Sequence, residues 1–193
     1  MKLIVGLGNP GDVYSDSRHN IGFRVIKALS SFYKAALKRD SGTYSFTSKV
    51  KIGGNSVVLA IPVTFMNLSG SAVKPLLKKY KIGLEDLLVV CDDLDLELGR
   101  LKIKPSGSSA GHRGIQSIID SLASNEFARL RIGIDRPGRG IEASLYVLSR
   151  FSRKEKEPVC EIVEKAKECC QSWVIGGIKE TMNIFNKRSG SNE

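Results

Sequence analysis

The chain has 193 residues, long enough for one compact domain with a sizeable core, and its formal net charge of +10 favours a polyanionic partner over a neutral or cationic one. No run approaches the roughly 18 apolar residues of a membrane span, and the apolar stretch over residues 1–6 is too brief for a signal sequence, so a soluble cytoplasmic protein is expected. Cys91, Cys160, Cys169 and Cys170 show neither C-x-x-C pairing nor a secreted disulfide framework, which speaks against a structural metal or disulfides.

Leu3, Ile4 and Val5 are a continuous apolar run, as in a strand covered on both faces. A polar segment follows, and apolar spacing at Ile21, Phe23, Val25, Ile26 and Leu29 predicts a helix over residues 21–37. Thr43 to Ile52 and Ser56 to Ile61 read as two antiparallel strands joined by Gly53-Gly54-Asn55, a hairpin signal. Residues 62–70 lead into a helix reaching about Tyr80, and Leu87 to Cys91 is a short buried strand that stops at Asp92. After a strand over Arg100 to Lys104 comes an irregular Gly/Ser-rich loop through Gly114. Ile115, Ile118, Ile119 and Leu122 then repeat at helical spacing, and Leu130, Ile132 and Ile134 alternate as in a strand that Pro137 to Gly140 breaks. Ser152 with Glu155 forms a capping box for a long amphipathic helix ended by Gly176-Gly177, with a shorter helix around Glu180 to Phe185. Alternating strands and helices imply one α/β domain over residues 1–186, a three-layer sandwich with a twisted, mixed, mostly parallel sheet, and a polar, disordered tail over 187–193.

Gly6, Gly8 and Gly11 have the G-x-G-x-x-G spacing of a dinucleotide turn. That turn needs a helix to begin at once beside the pyrophosphate, yet helical spacing starts only at Ile21; the acidic residue wanted at the end of a second strand about twenty residues on is also missing, since Asp40 reads as part of a turn-like RDSG before the next strand. Only two histidines exist, each in a glycine-bearing loop, where a base titrating near neutrality would sit. A loop histidine more often just supports a turn, but His19 follows a strand whose carboxyl end shares the ligand crevice with Asp92, which could orient the ring. Asp92, Asp93 and Asp95 could alternatively hold Mg²⁺, although more carboxylates would be needed. There is no G-x-S-x-G elbow, so water is the expected nucleophile. Asn9 and Asn67, in crevice-facing loops, are either turn residues or donors to a developing oxyanion.

The stretches GLGNPG, YSDSRHNIGF, TFMNLSG, VVCDDLDLELGRLKIK, GHRGIQSI and RLRIGIDRPG, in this order and spacing, resemble bacterial peptidyl-tRNA hydrolase over nearly the whole chain. The resemblance implies a monomeric esterase, without cofactor, metal or obligate protein partner, that cuts the ester joining peptide to tRNA and frees the tRNA for translation. It matches His19 to the base, Asp92 to its orienting carboxylate, and Asn9, Met66 and Asn67 to substrate-positioning residues. Tyr14 matches an aromatic of the cleft, and Lys102, Lys104 and Arg131 a clamp on the terminal phosphate of tRNA. Where the family often has asparagine after the second histidine, this chain has Arg113; its guanidinium is expected at the cleft mouth, binding substrate rather than driving chemistry. A non-catalytic RNA-binding relative is the rival, against which His19, Asp92, Asn9 and Asn67 together argue.

Overall fold

Unbroken burial of Leu3, Ile4 and Val5 places their strand, β1 (Lys2–Gly6), at the centre of a seven-stranded sheet in the computed structural model, which describes residues 1–187. The order is β2 (Lys38–Asp40), β3 (Ser45–Ile52), β4 (Asn55–Pro62), β1, β5 (Leu87–Asp93), β7 (Ala128–Gly133) and β6 (Leu101–Lys104). The four central strands β4, β1, β5 and β7 are parallel; β2 and β3 on one side and β6 on the other run antiparallel to their neighbours. The predicted hairpin joins β3 to β4, and its turn needs glycine: φ is 54° at Gly53 and 82° at Gly54.

Both faces of the sheet are covered. Ile4, Val90, Leu130 and Ile132 pack against α1 (Ile21–Phe32) and α5 (Lys156–Phe185), while Leu3, Val5 and Val89 pack against α2 (Gly70–Tyr80) and α3 (Arg113–Leu122). Alternate residues of each central strand therefore enter different cores, which is why these strands read as continuous apolar runs. The loops after β1 and β5 open at one edge of the sheet, the carboxyl ends of parallel strands, where α/β folds bind ligands. The first glycine of GLGNPG serves packing rather than a cofactor: a Cβ on Gly6 would lie 2.2 Å from the Gly22 carbonyl oxygen, so β1 and α1 approach backbone to backbone.

The structure departs from the sequence reading at several boundaries. The first helix ends at Phe32 rather than 37, because Lys34 turns left-handed (φ 50°) and the Ala35 N–H closes back onto Ser30. The residues beyond form the edge strand β2, with Asp40 as its last residue. A six-residue helix, α4 (Ala143–Leu148), follows Pro137 to Gly140 and is too short to show a period in sequence. The Ser152–Glu155 capping box opens a short 3₁₀ turn that runs into α5. Gly177 (φ 74°) breaks α5 where the glycine pair predicts an end, and the second segment reaches Phe185. Cys169 and Cys170 are adjacent yet both fully buried, since α5 packs against α1 as well as the sheet. No helix among the described residues is long and apolar enough to cross a membrane. The tail expected over 187–193 lies, beyond Lys187, outside the described residues.

Candidate active site

His19 sits in a 3₁₀ turn, Arg18–Asn20, that joins the loop after β1 to α1, and Asp92 lies near the end of β5. Their side chains meet: His19 Nδ1 is 2.7 Å from Asp92 Oδ1. The second histidine reaches the same oxygen, with His112 Nε2 at 3.1 Å and the two rings 5.0 Å apart. Burial alone would push the Asp92 carboxyl up, but attraction to both imidazoles and their hydrogen bonds outweighs it and holds the group well below the usual carboxylate range. An ionised Asp92 only accepts, so both rings donate to it. For His112 this tautomer is fixed a second time: it caps α3, and its Nδ1 accepts the Gly114 and Ile115 N–H groups at 3.1 and 3.2 Å. His19 has no such second partner among the described residues. In the neutral ring, donation through Nδ1 leaves Nε2 as the lone-pair nitrogen, on a side chain that lines a cleft of about 480 Å³.

Beside this pair the loops after β1 and β4 are tied together. Asn9 N–H donates to Asn20 Oδ1 (2.8 Å), Asn20 Nδ2 donates to the Asn9 carbonyl (2.9 Å), and Asn9 Oδ1 accepts the Met66 N–H (2.8 Å). Because Met66 N–H requires an oxygen opposite it, the Asn9 amide orientation is set, and Nδ2 keeps its hydrogens for another acceptor. Met66 is buried against Gly114, where a Cβ would lie 2.4 Å from its sulfur, so it packs at the start of α3 next to His112. Asn67 is exposed and Tyr14 half-buried, on the solvent sides of these loops. Of the expected residues, His19, Asp92, Arg113 and Arg131 line the cleft; Asn9, Tyr14, Met66, Asn67, Lys102 and Lys104 stand outside that lining.

The β6–β7 register sets Lys102 opposite Arg131 and Lys104 opposite Arg129, so four cations share one sheet face. They are not equivalent. The Arg131 guanidinium lies against the Asp93 carboxylate, whereas Lys102 and Lys104 have no ion pair among the described residues. Arg129 is buried and holds the Gly/Ser-rich loop, donating to the carbonyls of Gly107 (2.7 Å) and Ser108 (2.8 Å) and also to that of Asn125 (3.0 Å) in the connection between α3 and β7. Arg113, the first residue of α3, is exposed. Across the cleft α4 contributes Ala143, Ser144 and Val147, and Arg18 fastens it. This buried guanidinium pairs with Glu155 through two bonds of 2.8 and 2.9 Å and lies 4.3 Å from the Tyr146 ring.

These partners bear on the alternatives. Asp92, Asp93 and Asp95 are each engaged, by the histidines, Arg131 and Arg136, and do not form a carboxylate cluster for Mg²⁺. His19, Asp92 and His112 bring three ligand atoms within 4.8 Å of one another. A metal on His112 Nε2 would, however, move that ring's proton to Nδ1, against two backbone N–H donors, so the trio fits protons better than a metal ion. Burial raises the Cys91 thiol in the cleft floor well above its usual range, which removes a thiolate nucleophile. Sequence reasoning missed His112, Asn20, Arg129 and Arg18 as site residues. A histidine directly before a helical pattern is a signal for the first; the burial of the two arginines has no local signature.

The peptidyl-tRNA hydrolase family model matches residues 3–193. A peptidyl-tRNA hydrolase of Bacillus cytotoxicus is 44% identical over 186 residues, covering 96% of this chain and 100% of that protein, and one of Syntrophomonas wolfei is 45% identical over the same spans. Among solved structures, a peptidyl-tRNA hydrolase in complex with N-propanol superimposes with a TM-score of 0.91 at 34% identity, covering 98% of this chain and 97% of that one. The enzyme of Acinetobacter baumannii gives 0.90 at 35%, covering 96% and 94%. With matches of this length and identity, and with the histidine–aspartate pair at the carboxyl edge of the sheet, the chain belongs to the peptidyl-tRNA hydrolase family.

Proposed function

We propose that this protein hydrolyses the ester between the peptide carboxyl and the terminal ribose of tRNA in peptidyl-tRNA, with His19 as the general base. The observation that carries the assignment is the shared Asp92 oxygen, which lies within hydrogen-bond distance of each histidine and, in the neutral His19 ring, leaves Nε2 as the lone-pair nitrogen of a side chain lining the cleft. Nε2 accepts a proton from water as the water oxygen attacks the ester carbonyl, and the Asp92 charge steadies the imidazolium that forms. Asn9 Nδ2, left without a partner among the described residues once Oδ1 takes the Met66 N–H, is the proposed donor to the developing oxyanion; such a donor contributes roughly 10² to 10³ in rate. When the tetrahedral intermediate collapses, the imidazolium returns its proton to the departing ribose oxygen. Asn67, Met66 and Tyr14 flank the peptide. Lys102 and Lys104 supply free positive charge to a tRNA phosphate, Arg131 a charge already shared with Asp93, and Arg113 a donor at the cleft rim. The test is release of free tRNA from N-acyl-aminoacyl-tRNA by the purified protein, with unblocked aminoacyl-tRNA as control. Cleavage of the blocked substrate with little of the unblocked one is expected, and no cleavage of either overturns the reading.

A further inference from the structure

Most of the net charge lies away from the cleft. Residues 34–83 hold nine lysines and arginines and a single acid, Asp40, and so carry eight of the ten net positive charges. This segment builds β2, β3, β4 and α2, the end of the sheet opposite β6 and β7. Six of these cations lie on β3, on α2 and at its end. Lys49 and Lys51 pair with Val58 and Ser56 in the β3–β4 register, and because Val58 enters the α2/α3 core, both lysines stand on the face where α2 packs. Lys49 and Lys79 both reach the Tyr80 ring, at 5.3 and 5.7 Å from its centre, and Lys79 also pairs with Asp40. Lys74, Lys78 and Lys81 are exposed at intervals of four and three residues, a single stripe along α2. None of Lys49, Lys51, Lys74, Lys78 and Lys81 has an ion-pair partner among the described residues.

A stripe of unpaired like charge costs self-repulsion in the folded protein, and a polyanion relieves it. We infer that the lysine surface of α2 and β3 binds the phosphate backbone of a second RNA, distinct from the tRNA whose ester occupies the cleft. The inference rests on the proposed function in one respect: the β6–β7 cations grip the substrate's acceptor end. The lysine surface lies on β3 and α2, with β3 separated from β7 and β6 by β4, β1 and β5 in the sheet order, so the two sets of cations are separate surfaces. RNA is favoured over an anionic lipid surface because the patch is rigid helix and strand with no apolar residue exposed along the α2 stripe for a bilayer to take up, while lysines spaced around an aromatic ring suit a backbone of repeating phosphates.

The test combines Lys49→Gln, Lys51→Gln, Lys74→Gln and Lys78→Gln, all exposed positions outside the cleft. Two readouts are compared on the same preparation: binding of a blunt 20-base-pair RNA duplex lacking an acceptor end, and hydrolysis of an N-acyl-aminoacyl minihelix. The expected result is duplex affinity at least tenfold weaker, with the slope of log K against log salt reduced by about 0.9 for each lysine that touches phosphate, and unchanged kcat/KM on the minihelix. Unchanged duplex binding overturns the inference. So does a parallel loss of minihelix hydrolysis, which would make the stripe part of the substrate site, or binding of phosphatidylglycerol vesicles in place of the duplex. Failure of the unsubstituted protein to hydrolyse the minihelix while still binding the duplex through these lysines would instead overturn the proposed function alone.

Discussion

The loop before α1 and the loop before α3 each deliver one histidine to the same oxygen of Asp92, yet the two rings are not interchangeable. His112 spends its other nitrogen on backbone N–H groups in the first turn of α3, and His19 spends its other nitrogen on nothing among the described residues. Residue type and even the shared partner are therefore insufficient to assign a base; the occupant of the second ring nitrogen decides. Supports of the two loops differ as well. His19 is set between α1 and the Arg18–Glu155 pair, whereas His112 ends a loop with left-handed φ at Ala110 and Gly111 that is pinned to the sheet chiefly by Arg129.

Removing each histidine tests this asymmetry most sharply. His19→Ala should lower kcat by roughly 10² to 10⁴ with little change in tRNA affinity, the full contribution of a general base. Asp92→Asn should cost less, since the ring remains but one tautomer is no longer enforced. Retention of more than about a tenth of wild-type kcat by His19→Ala in a single-turnover assay would remove it from the role of base.

His112 should yield a smaller and separable effect. His112→Asn keeps a side-chain acceptor at the helix cap but loses the donor to Asp92, so kcat should fall by roughly ten- to a hundredfold, in keeping with a hydrogen bond to a charged group worth about 1.5–3 kcal/mol, while Tm holds. His112→Ala should show the same kcat and an additional loss of about 1 kcal/mol of stability from the missing cap. A kcat as low as that of His19→Ala would give His112 a direct part in proton transfer and dissolve the contrast.

The smallest expected effect lies at the support of the His19 loop. The Arg18 hydrogen bonds first, then those from Ser152, lower the Glu155 carboxyl to about 2 from an ordinary value of 4.5. A depressed carboxyl adds stability that is complete above about pH 4.5 and is lost as pH falls toward 2. Glu155→Gln should therefore flatten the decline of Tm between pH 4.5 and 2, with a lower Tm at neutral pH, as read by calorimetry. An acid-side decline identical to wild type would show that the pair contributes nothing to holding α4 and the His19 turn.

The long apolar runs, the hairpin glycines and the six ordered motif blocks carry the central parallel strands, the β3–β4 turn and the family in the sequence itself. These are local properties: burial on both faces imposes unbroken Val, Leu and Ile, and a left-handed turn imposes glycine. The pairing of His19 with Asp92 is also legible, because the loop of His19 follows one apolar strand and Asp92 ends another, although only the structure shows that these strands are neighbours. Other features exist only after the chain has closed. The end of α1 at Phe32 and the six-residue α4 depend on which neighbours cover them, and no short periodicity records that. The same holds for chemistry. Sequence supplied two loop histidines with nothing to rank their ring nitrogens, offered Asp93 as a metal ligand and Arg131 as a phosphate clamp, and did not single out Arg129. Only tertiary packing, by bringing residues 19, 92 and 112 within hydrogen-bond reach and setting Asp93 against Arg131, determined which nitrogen is free, which cation is shared and which guanidinium holds a loop. A proton or a charge is assigned by what lies within about 3 Å of it, and that distance is a property of the fold.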